Sequence, residues 1–276
     1  MAFTSTTEII ELQADVKLHV IWSFPRPEKA TPSATVIFLH FWGGSSATWS
    51  PVNSLIAETF PTVRIDFRGW GNSTGPEDET AYSTIQLAED VEGVLQHLNL
   101  PRYILVGHSM GAKIAQAVAG RKVHDGLAGL ILVCPAPPTP LVLPDEMRDQ
   151  QINAYNNAEN AEFVTRNVLT SKTLSDELVQ SAVKTMLKGN KYAKAAWPRY
   201  AMRDDIVSLA EGIEVPTLVI AGEKDAIESV SRVKAEVVAN ISDAKSVVVE
   251  EVGHLALLEA PERIAVILNG FMSDII

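Results

Sequence analysis

Short apolar runs alternate along the chain with segments whose apolar residues recur at helical spacing. Nearly continuous apolar runs of about four to eight residues are typical of strands buried on both faces of a parallel sheet. Predicted strands cover Ile9–Leu12, Val16–Ser23, Thr35–His40, Thr62–Phe67, Tyr103–Gly107, Leu127–Cys134, Thr217–Gly222 and Lys245–Glu250, with a turn at Ala14-Asp15. Predicted helices between them cover Val52–Thr59, Thr84–Leu98, Met110–Arg121, Ser229–Ala239 and Pro261–Ser273. This alternation predicts the α/β class, a mostly parallel central sheet flanked by helices.

One long segment interrupts the alternation. Five of the fifteen prolines lie within Pro135–Pro144, directly after the sixth predicted strand, and the next strand signal begins at Thr217. The predicted helices in this interval cover Pro144–Asn157, Ala158–Leu169, Ser175–Leu187 and Lys191–Tyr200. We therefore predict a core formed by residues 1–134 and 209–276, and a helical cap or lid formed by residues 135–208. The cap is expected at the carboxyl edge of the sheet, where open α/β sheets bind ligands.

The charge balance limits the classes of partner. The chain has 276 residues with 23 lysines and arginines against 34 acidic residues, a net charge of −11. Phosphate backbones and anionic lipid surfaces would repel such a chain, so we expect no nucleic-acid and no membrane partner. No apolar run approaches the roughly 20 residues of a membrane helix, and no signal peptide is recognisable. The single cysteine, Cys134, excludes an internal disulfide. We expect a cytoplasmic monomer or homodimer.

The predicted cap is electrically neutral, unlike the core. Residues 135–208 contain nine basic and nine acidic side chains, so the whole net charge of −11 belongs to the rest of the chain. Burying a charge without a partner costs several kcal/mol, so a neutral lid favours an uncharged, partly apolar ligand.

The strongest chemical motif is Gly107-His108-Ser109-Met110-Gly111, a G-x-S-x-G sequence between a predicted strand and a predicted helix. A serine on such a sharp turn projects its hydroxyl above the sheet, and the glycines avoid collisions of β-carbons there. The backbone N–H of Met110, at the beginning of the helix, would face negative charge that develops beside Ser109. The motif therefore makes Ser109 a candidate nucleophile.

Two more candidates follow the last two predicted strands. Asp225 closes the sequence Gly222-Glu223-Lys224-Asp225, and His254 follows Gly253. A serine hydroxyl needs a base, which His254 can supply, while an ionised Asp225 would hold the histidine tautomer and stabilise the imidazolium. The alternatives for the acid are Glu223 and, more remotely, Glu250 or Glu251.

These motifs resemble those of the α/β-hydrolase family over nearly the whole chain. In that family the nucleophile, the acid and the histidine occur in this order along the chain. The intervals of 116 residues from Ser109 to Asp225 and 29 from Asp225 to His254 leave room for the cap between the first two. The resemblance implies the α/β-hydrolase fold, with a helical cap inserted after the sixth strand. A serine at position 109 argues against the epoxide hydrolases and haloalkane dehalogenases of this fold, which use a carboxylate nucleophile.

The same resemblance implies an oxyanion hole. The loop after the third strand begins His40-Phe41-Trp42-Gly43. Hydrolases of this fold have a histidine and a glycine there, followed by a variable residue whose N–H enters the hole. The match implies that Trp42 N–H pairs with Met110 N–H. Phe41 stands where glycine is usual, so Phe41 N–H remains the alternative, and His40 is expected to brace the loop.

The remaining candidates are pocket residues and structural residues. We expect the substrate pocket to be lined by Phe41, His108, Trp197 and Tyr200, with Trp42 beside them. Asp66 and Arg68 belong to a segment that resembles D-x-R-G-x-G-x-S of the family, and both are expected to brace loops. Cys134 is expected to be a buried apolar residue. No metal-ligand spacing and no dinucleotide or phosphate loop is present, so we expect no metal and no cofactor.

Together these features predict a serine hydrolase that cleaves a small carboxylic ester or lactone through an acyl-enzyme on Ser109. Three alternatives share the same triad: a carbon–carbon bond hydrolase, a cofactor-free perhydrolase and a hydroxynitrile lyase. A fourth alternative is a ligand receptor built on a hydrolase fold, with slow turnover.

Overall fold

Eight strands form one sheet in the computed structural model, which describes residues 3–26 and 34–276. The strands are β1 (Phe3–Gln13), β2 (Val16–Pro25), β3 (Thr35–Leu39), β4 (Thr62–Ile65), β5 (Tyr103–His108), β6 (Leu127–Val133), β7 (Thr217–Gly222) and β8 (Lys245–Val249). Their order across the sheet is β1-β2-β4-β3-β5-β6-β7-β8. The hairpin β1–β2 and the pair β2–β4 are antiparallel, and all other pairs are parallel. The predicted core range 1–134 includes positions 1–2 and 27–33, which lie outside the described residues.

Helices connect the parallel strands, as the alternation predicts. They are α1 (Ser50–Ile56), α2 (Thr84–Leu98), α3 (Met110–Arg121), α4 (Asp145–Asn153), α5 (Ala158–Val164), α6 (Asp176–Lys188), α7 (Lys191–Arg199), α8 (Val207–Glu211), α9 (Val230–Arg232), α10 (Ala256–Glu259) and α11 (Pro261–Ile275). The helix predicted over Ser229–Ala239 is wrong as one element, because α9 gives way to a π-helical turn and then a 3₁₀ turn. The strand predicted from Ile9 begins at Phe3, since pairing with β2 continues through polar residues to Pro25.

The core occupies both faces of the sheet. Along β5, Leu105 packs in one apolar cluster and Ile104 and Val106 pack in the other, because successive side chains of a strand point to opposite faces. Helices α2 and α3 cover the first face, and α1 and α11 cover the second. This two-sided burial explains the continuous apolar runs of the central strands and confirms the α/β class.

The residues between β6 and β7 form α4 to α8. We call residues 135–208 the inserted segment; it contains α4 to α7 and the first two residues of α8. Hydrogen bonds connect it to the sheet-bearing part of the chain. Asn190 N–H donates to Gly69 O at 2.8 Å, and the indole N–H of Trp42 donates to Lys194 O at 3.1 Å. The inserted segment therefore lies over the loops that follow β3 and β4. Across the described residues, no helix combines the length and the apolar character needed to cross a bilayer.

Candidate active site

Ser109 lies on the sharp turn between β5 and α3. Its φ of +54° is in the left-handed region, which a residue with a β-carbon seldom adopts. A β-carbon on Gly107 would lie 2.4 Å from Gly111 O, and one on Gly111 would lie 2.5 Å from His40 O. Both glycines are thus required by close backbone approaches. The second approach also brings the beginning of α3 against the end of β3.

Three side chains from distant parts of the chain form one hydrogen-bonded row. His254 Nε2 lies 2.9 Å from Ser109 Oγ, and His254 Nδ1 lies 2.8 Å from Asp225 Oδ2. All three residues are buried. In the neutral tautomer with the proton on Nδ1, His254 donates to Asp225 and its free Nε2 accepts the Ser109 hydroxyl. This is the geometry that a base needs to take the serine proton.

Backbone donors fix the carboxylate at the end of this row. Asp225 Oδ1 accepts from the N–H of Ile227 at 2.8 Å and of Glu228 at 2.9 Å. Burial favours the neutral acid, but the His254 ring and these two N–H groups outweigh it and lower the pKa of Asp225. Burial also opposes the charged form of His254, but the Asp225 carboxylate outweighs that effect and raises the pKa of His254. The pair therefore favours an aspartate anion beside a basic imidazole.

The other carboxylates proposed for the acid lie elsewhere. Glu223 is exposed, and its Oε2 accepts from Glu251 N–H at 2.9 Å. Glu250 and Glu251 are exposed as well, and Glu251 pairs with Lys224 at 3.5 Å. None of the three carries a hydrogen bond to His254 among the described contacts, whereas Asp225 does.

The loop after β3 is held by a neutral histidine. His40 Nδ1–H donates to Phe41 O at 2.7 Å, and its Nε2 accepts from Phe67 N–H at 3.1 Å. Burial is the main cause that lowers the pKa of His40 to about 4, so the ring stays neutral and can keep both roles. Next in the loop, Trp42 O accepts from the Tyr155 hydroxyl at 3.1 Å, which ties the loop to the inserted segment. The loop is thus braced before and after Phe41.

Asp66 and Arg68 also brace loops. Asp66 accepts from Ser46 N–H at 2.6 Å and Asn72 N–H at 2.9 Å, joining the loops that follow β3 and β4. Arg68 makes two contacts of 2.5 Å with the carboxylate of Asp90 on α2. Neither side chain lines the cavity described next.

A cavity of about 1090 Å³ opens above Ser109 and His254. Most of its wall comes from the inserted segment and the loop after β3. Its apolar side chains include Phe41, Trp42, Leu141, Tyr155, Phe163 and Trp197. Two charged residues beside the triad, Glu228 and Arg232, also line it. The sequence alone predicts neither residue as part of the site, because neither belongs to a recognised motif.

Two of the four predicted pocket residues line this cavity and two do not. Phe41 and Trp197 line it, whereas His108 and Tyr200 lie outside. Helix α7 ends at Arg199, so Tyr200 leaves the face that carries Trp197, and its hydroxyl donates to Glu79 O at 2.6 Å. His108 points below the turn, where its Nε2–H donates to His254 O at 2.8 Å. The pocket assignments of His108 and Tyr200 are therefore corrected.

His108 also belongs to a cluster of possible metal ligands. One ligand atom each of His108, Cys134 and His254 lie within 4.8 Å of one another, and all three residues are buried. Both ring nitrogens of His254 are already hydrogen-bonded, to Asp225 and to Ser109. A metal ion at this cluster would have to displace one of those bonds, so the donor set does not fit a resident metal.

Comparisons with known proteins agree with this architecture. The profile of the alpha/beta hydrolase family matches residues 36–267. The AB hydrolase superfamily protein YisY of Bacillus subtilis is 30% identical over 249 residues, covering 87% of this chain and 91% of the relative. The 3-oxoadipate enol-lactonase 1 of Acinetobacter baylyi is 23% identical over 90% of this chain and 91% of its own length.

A solved structure has the same fold. The esterase of Exiguobacterium antarcticum superposes with a TM-score of 0.86 at 21% identity, covering 97% of this chain and 100% of that chain. With the profile match over most of its length, the chain belongs to the alpha/beta hydrolase family.

Proposed function

We propose that this member of the alpha/beta hydrolase family is a serine hydrolase that cleaves a small, uncharged or partly apolar carboxylic ester or lactone. The hydrogen-bonded row from Ser109 Oγ through His254 to Asp225 is the observation that supports it, with contacts of 2.9 and 2.8 Å. The row opens into a mainly apolar cavity, which suits a small molecule. The named relatives include an esterase and a lactonase, in keeping with the ester class.

The first half of the reaction forms an acyl-enzyme. His254 Nε2 accepts the Ser109 proton while Ser109 Oγ attacks the carbonyl carbon of the ester. The resulting imidazolium is stabilised by Asp225, and the oxyanion accepts hydrogen bonds from Met110 N–H and from Trp42 N–H or Phe41 N–H. His254 then donates its proton to the leaving alkoxide as the carbon–oxygen bond breaks.

The second half repeats these roles with water. His254 removes a proton from a water molecule, the hydroxide attacks the acyl carbon, and the proton returns to Ser109 Oγ as the acid leaves. A lactone would follow the same steps, with its alcohol still attached to the acyl group.

The inserted segment acts in this proposal as the cap that selects the substrate. Its net charge is zero, from nine basic and nine acidic residues, and it supplies Leu141, Tyr155, Phe163 and Trp197 to the cavity wall. Desolvating a charged substrate there would cost several kcal/mol, so uncharged acyl groups are favoured.

The test combines labelling with a substrate panel. A fluorophosphonate probe should modify Ser109 and not the Ser109→Ala variant, and Ser109→Ala should abolish hydrolysis while thermal unfolding stays close to the parent. Esters and lactones of rising acyl length then define the substrate class. Ester hydrolysis near the parent rate by Ser109→Ala would refute the nucleophile assignment. Ligand-dependent partner binding without turnover would instead support the receptor alternative.

A further inference from the structure

Glu228 is a buried carboxylate in the wall of the catalytic cavity that the proposed reaction does not use. It is 2% exposed and lies three residues after Asp225. Its backbone N–H donates to Asp225 Oδ1 at 2.9 Å, which fixes the residue beside the triad. Burial, the largest cause, raises the pKa of Glu228 to about 7. A carboxylate kept in such a place at a cost in solvation calls for a partner.

The ion pair that Glu228 forms with Arg232 lacks a hydrogen bond. Arg232 Nη1 lies 3.5 Å from Glu228 Oε2, an ion-pair contact without a hydrogen bond. Among the described residues, Glu228 Oε2 has no hydrogen-bond partner, and neither has the buried Arg232 Nε. Arg232 Nε itself lies 3.3 Å from Glu236 Oε1, a second ion-pair contact without a hydrogen bond. A carboxylate and a guanidinium thus lie side by side in the cavity wall, in ion-pair contact but without a hydrogen bond between them.

A hydroxyl group in the cavity can bond to both side chains, which line it. It donates to the Glu228 carboxylate and accepts from the Arg232 guanidinium, whereas an ammonium has no acceptor and a carboxylate has no donor. The charged residues that line the cavity also favour an uncharged ligand. Glu146 and Asp149 also line it, so three carboxylates stand against one guanidinium and an anionic ligand is disfavoured. The rest of the wall is mainly apolar.

We propose that Glu228 and Arg232 form a polar subsite that binds a hydroxyl group of an otherwise apolar, uncharged substrate. The proposal rests on the proposed function, since it assigns a specificity-determining role within the same cavity. It narrows the substrate class from a small ester or lactone to one that carries a hydroxyl away from the reacting carbonyl.

Aromatic esters give a rigid test in which the hydroxyl does not form a lactone. The probes are 4-nitrophenyl esters of phenylacetic and 3-phenylpropionic acid and their 3-hydroxy and 4-hydroxy ring derivatives. The readout is the ratio of kcat/KM for each hydroxylated ester to that of its parent. A hydrogen bond to a charged group is worth about a factor of ten or more in this ratio. We expect at least one derivative to exceed its parent by about tenfold.

Variants of Glu228 and of an exposed control residue distinguish binding at the subsite from a general effect of charge. Glu228→Leu should reduce that ratio to about one or below. Glu228→Gln keeps an acceptor oxygen at the same place and should retain part of the preference. Glu250→Gln removes an equal charge from an exposed residue outside the cavity and should leave the ratio unchanged. A preference that survives in Glu228→Leu, or equal rates for all esters with the parent protein, would overturn the proposal.

A binding measurement keeps this test independent of turnover. Calorimetry with phenylacetamide and its two hydroxylated derivatives reports the same preference as a ratio of dissociation constants, measured for the parent protein and for Glu228→Gln. If no ester is hydrolysed but the hydroxylated amides bind about tenfold more tightly, the proposed function fails while the subsite stands. If esters are hydrolysed but no ligand prefers a hydroxyl, the subsite fails alone.

Discussion

The Asp225–His254 contact allows a quantitative prediction for the substitution Asp225→Asn. The carboxylate lies 2.8 Å from His254 Nδ1, and both groups are buried. With the charge centres roughly 4 Å apart and an effective dielectric constant of about 20, the ion pair formed in the transition state is worth about 4 kcal/mol. That energy alone corresponds to a loss of roughly 10³ in kcat.

The substitution also changes the tautomer of the base. An asparagine amide can donate to His254 Nδ1, which places the ring proton on Nε2 and leaves no lone pair for the serine proton. In serine proteases the corresponding change lowers kcat by about 10⁴. We therefore expect a loss between roughly 10³ and 10⁴ in Asp225→Asn, with the fold retained because the replacement is nearly isosteric.

The pH profile gives a second readout with a defined sign. His254 must be neutral to act as base, so kcat/KM rises with pH through its pKa. Because Asp225 raises the pKa of His254, this rise should occur at a higher pH than for a free histidine. In Asp225→Asn the raising effect is lost, and the remaining activity should rise at lower pH than in the parent.

The assay is steady-state hydrolysis of 4-nitrophenyl acetate from about pH 5 to about pH 9, with circular dichroism to check folding. Glu223→Gln is the matched control, because Glu223 follows the same strand but is exposed and hydrogen-bonded to Glu251 N–H. Its kcat/KM should stay within about threefold of the parent. A larger loss in Glu223→Gln than in Asp225→Asn, or a flat parent profile, would refute this assignment of the acid and base.

Three further predictions concern the cavity, the thiol and the buried histidines. Trp197→Ala should mainly change KM and shift preference toward longer acyl esters, whereas Tyr200→Phe, outside the cavity, should not change the selectivity measured over short and long esters. Cys134 is fully buried and burial raises its pKa, so a thiol reagent should modify it only after unfolding, which absorbance titration with and without guanidinium checks. Burial lowers the pKa of His40 to about 4 and of His108 to about 3, so from pH 6.5 downward the unfolded chain binds protons that the folded chain does not. The two histidines alone cost about 3 kcal/mol between about pH 6.5 and about pH 5, and the raised pKa values of Glu228 and His254 offset part of that cost, because there the folded chain binds the extra proton. Urea unfolding should therefore show a loss of about 1 kcal/mol over this range, and a free energy of unfolding that rises on acidification would contradict it.

The order of the strands and turns and the positions of the candidate side chains were predictable, because each depends on a local sequence pattern. The G-x-S-x-G turn is recognisable by its glycines, which close backbone contacts require. Asp225 follows the buried strand β7, and His254 follows the edge strand β8. Since carboxyl ends of parallel strands share one sheet edge, the motif positions already bring these residues toward each other. The structure joins them by hydrogen bonds of 2.8 and 2.9 Å.

The lining of the cavity was only partly predictable, because it depends on helix phase and helix ends. Trp197 and Tyr200 are three residues apart and would share a face of a continuous helix. The helix ends at Arg199, so the two side chains separate. Glu228 and Arg232 were missed for another reason. Their position depends on the turn after Asp225, whose course follows from backbone hydrogen bonds to the aspartate and from no sequence motif.

In the proposed function, that turn serves both the catalytic residues and the choice of substrate. Asp225 orients His254 through Oδ2, while its Oδ1 accepts from the backbone of Ile227 and Glu228, whose side chains line the cavity. A substrate group that contacts Glu228 therefore contacts a residue held by the same carboxylate that holds the base. Large substitutions at Glu228 that shift this backbone would change kcat as well as KM. Phe163 lines the cavity from the inserted segment and is distant in sequence from the triad, so truncating it would change KM alone. The loop after β7 is in this way a common support for the base and for the polar end of the cavity.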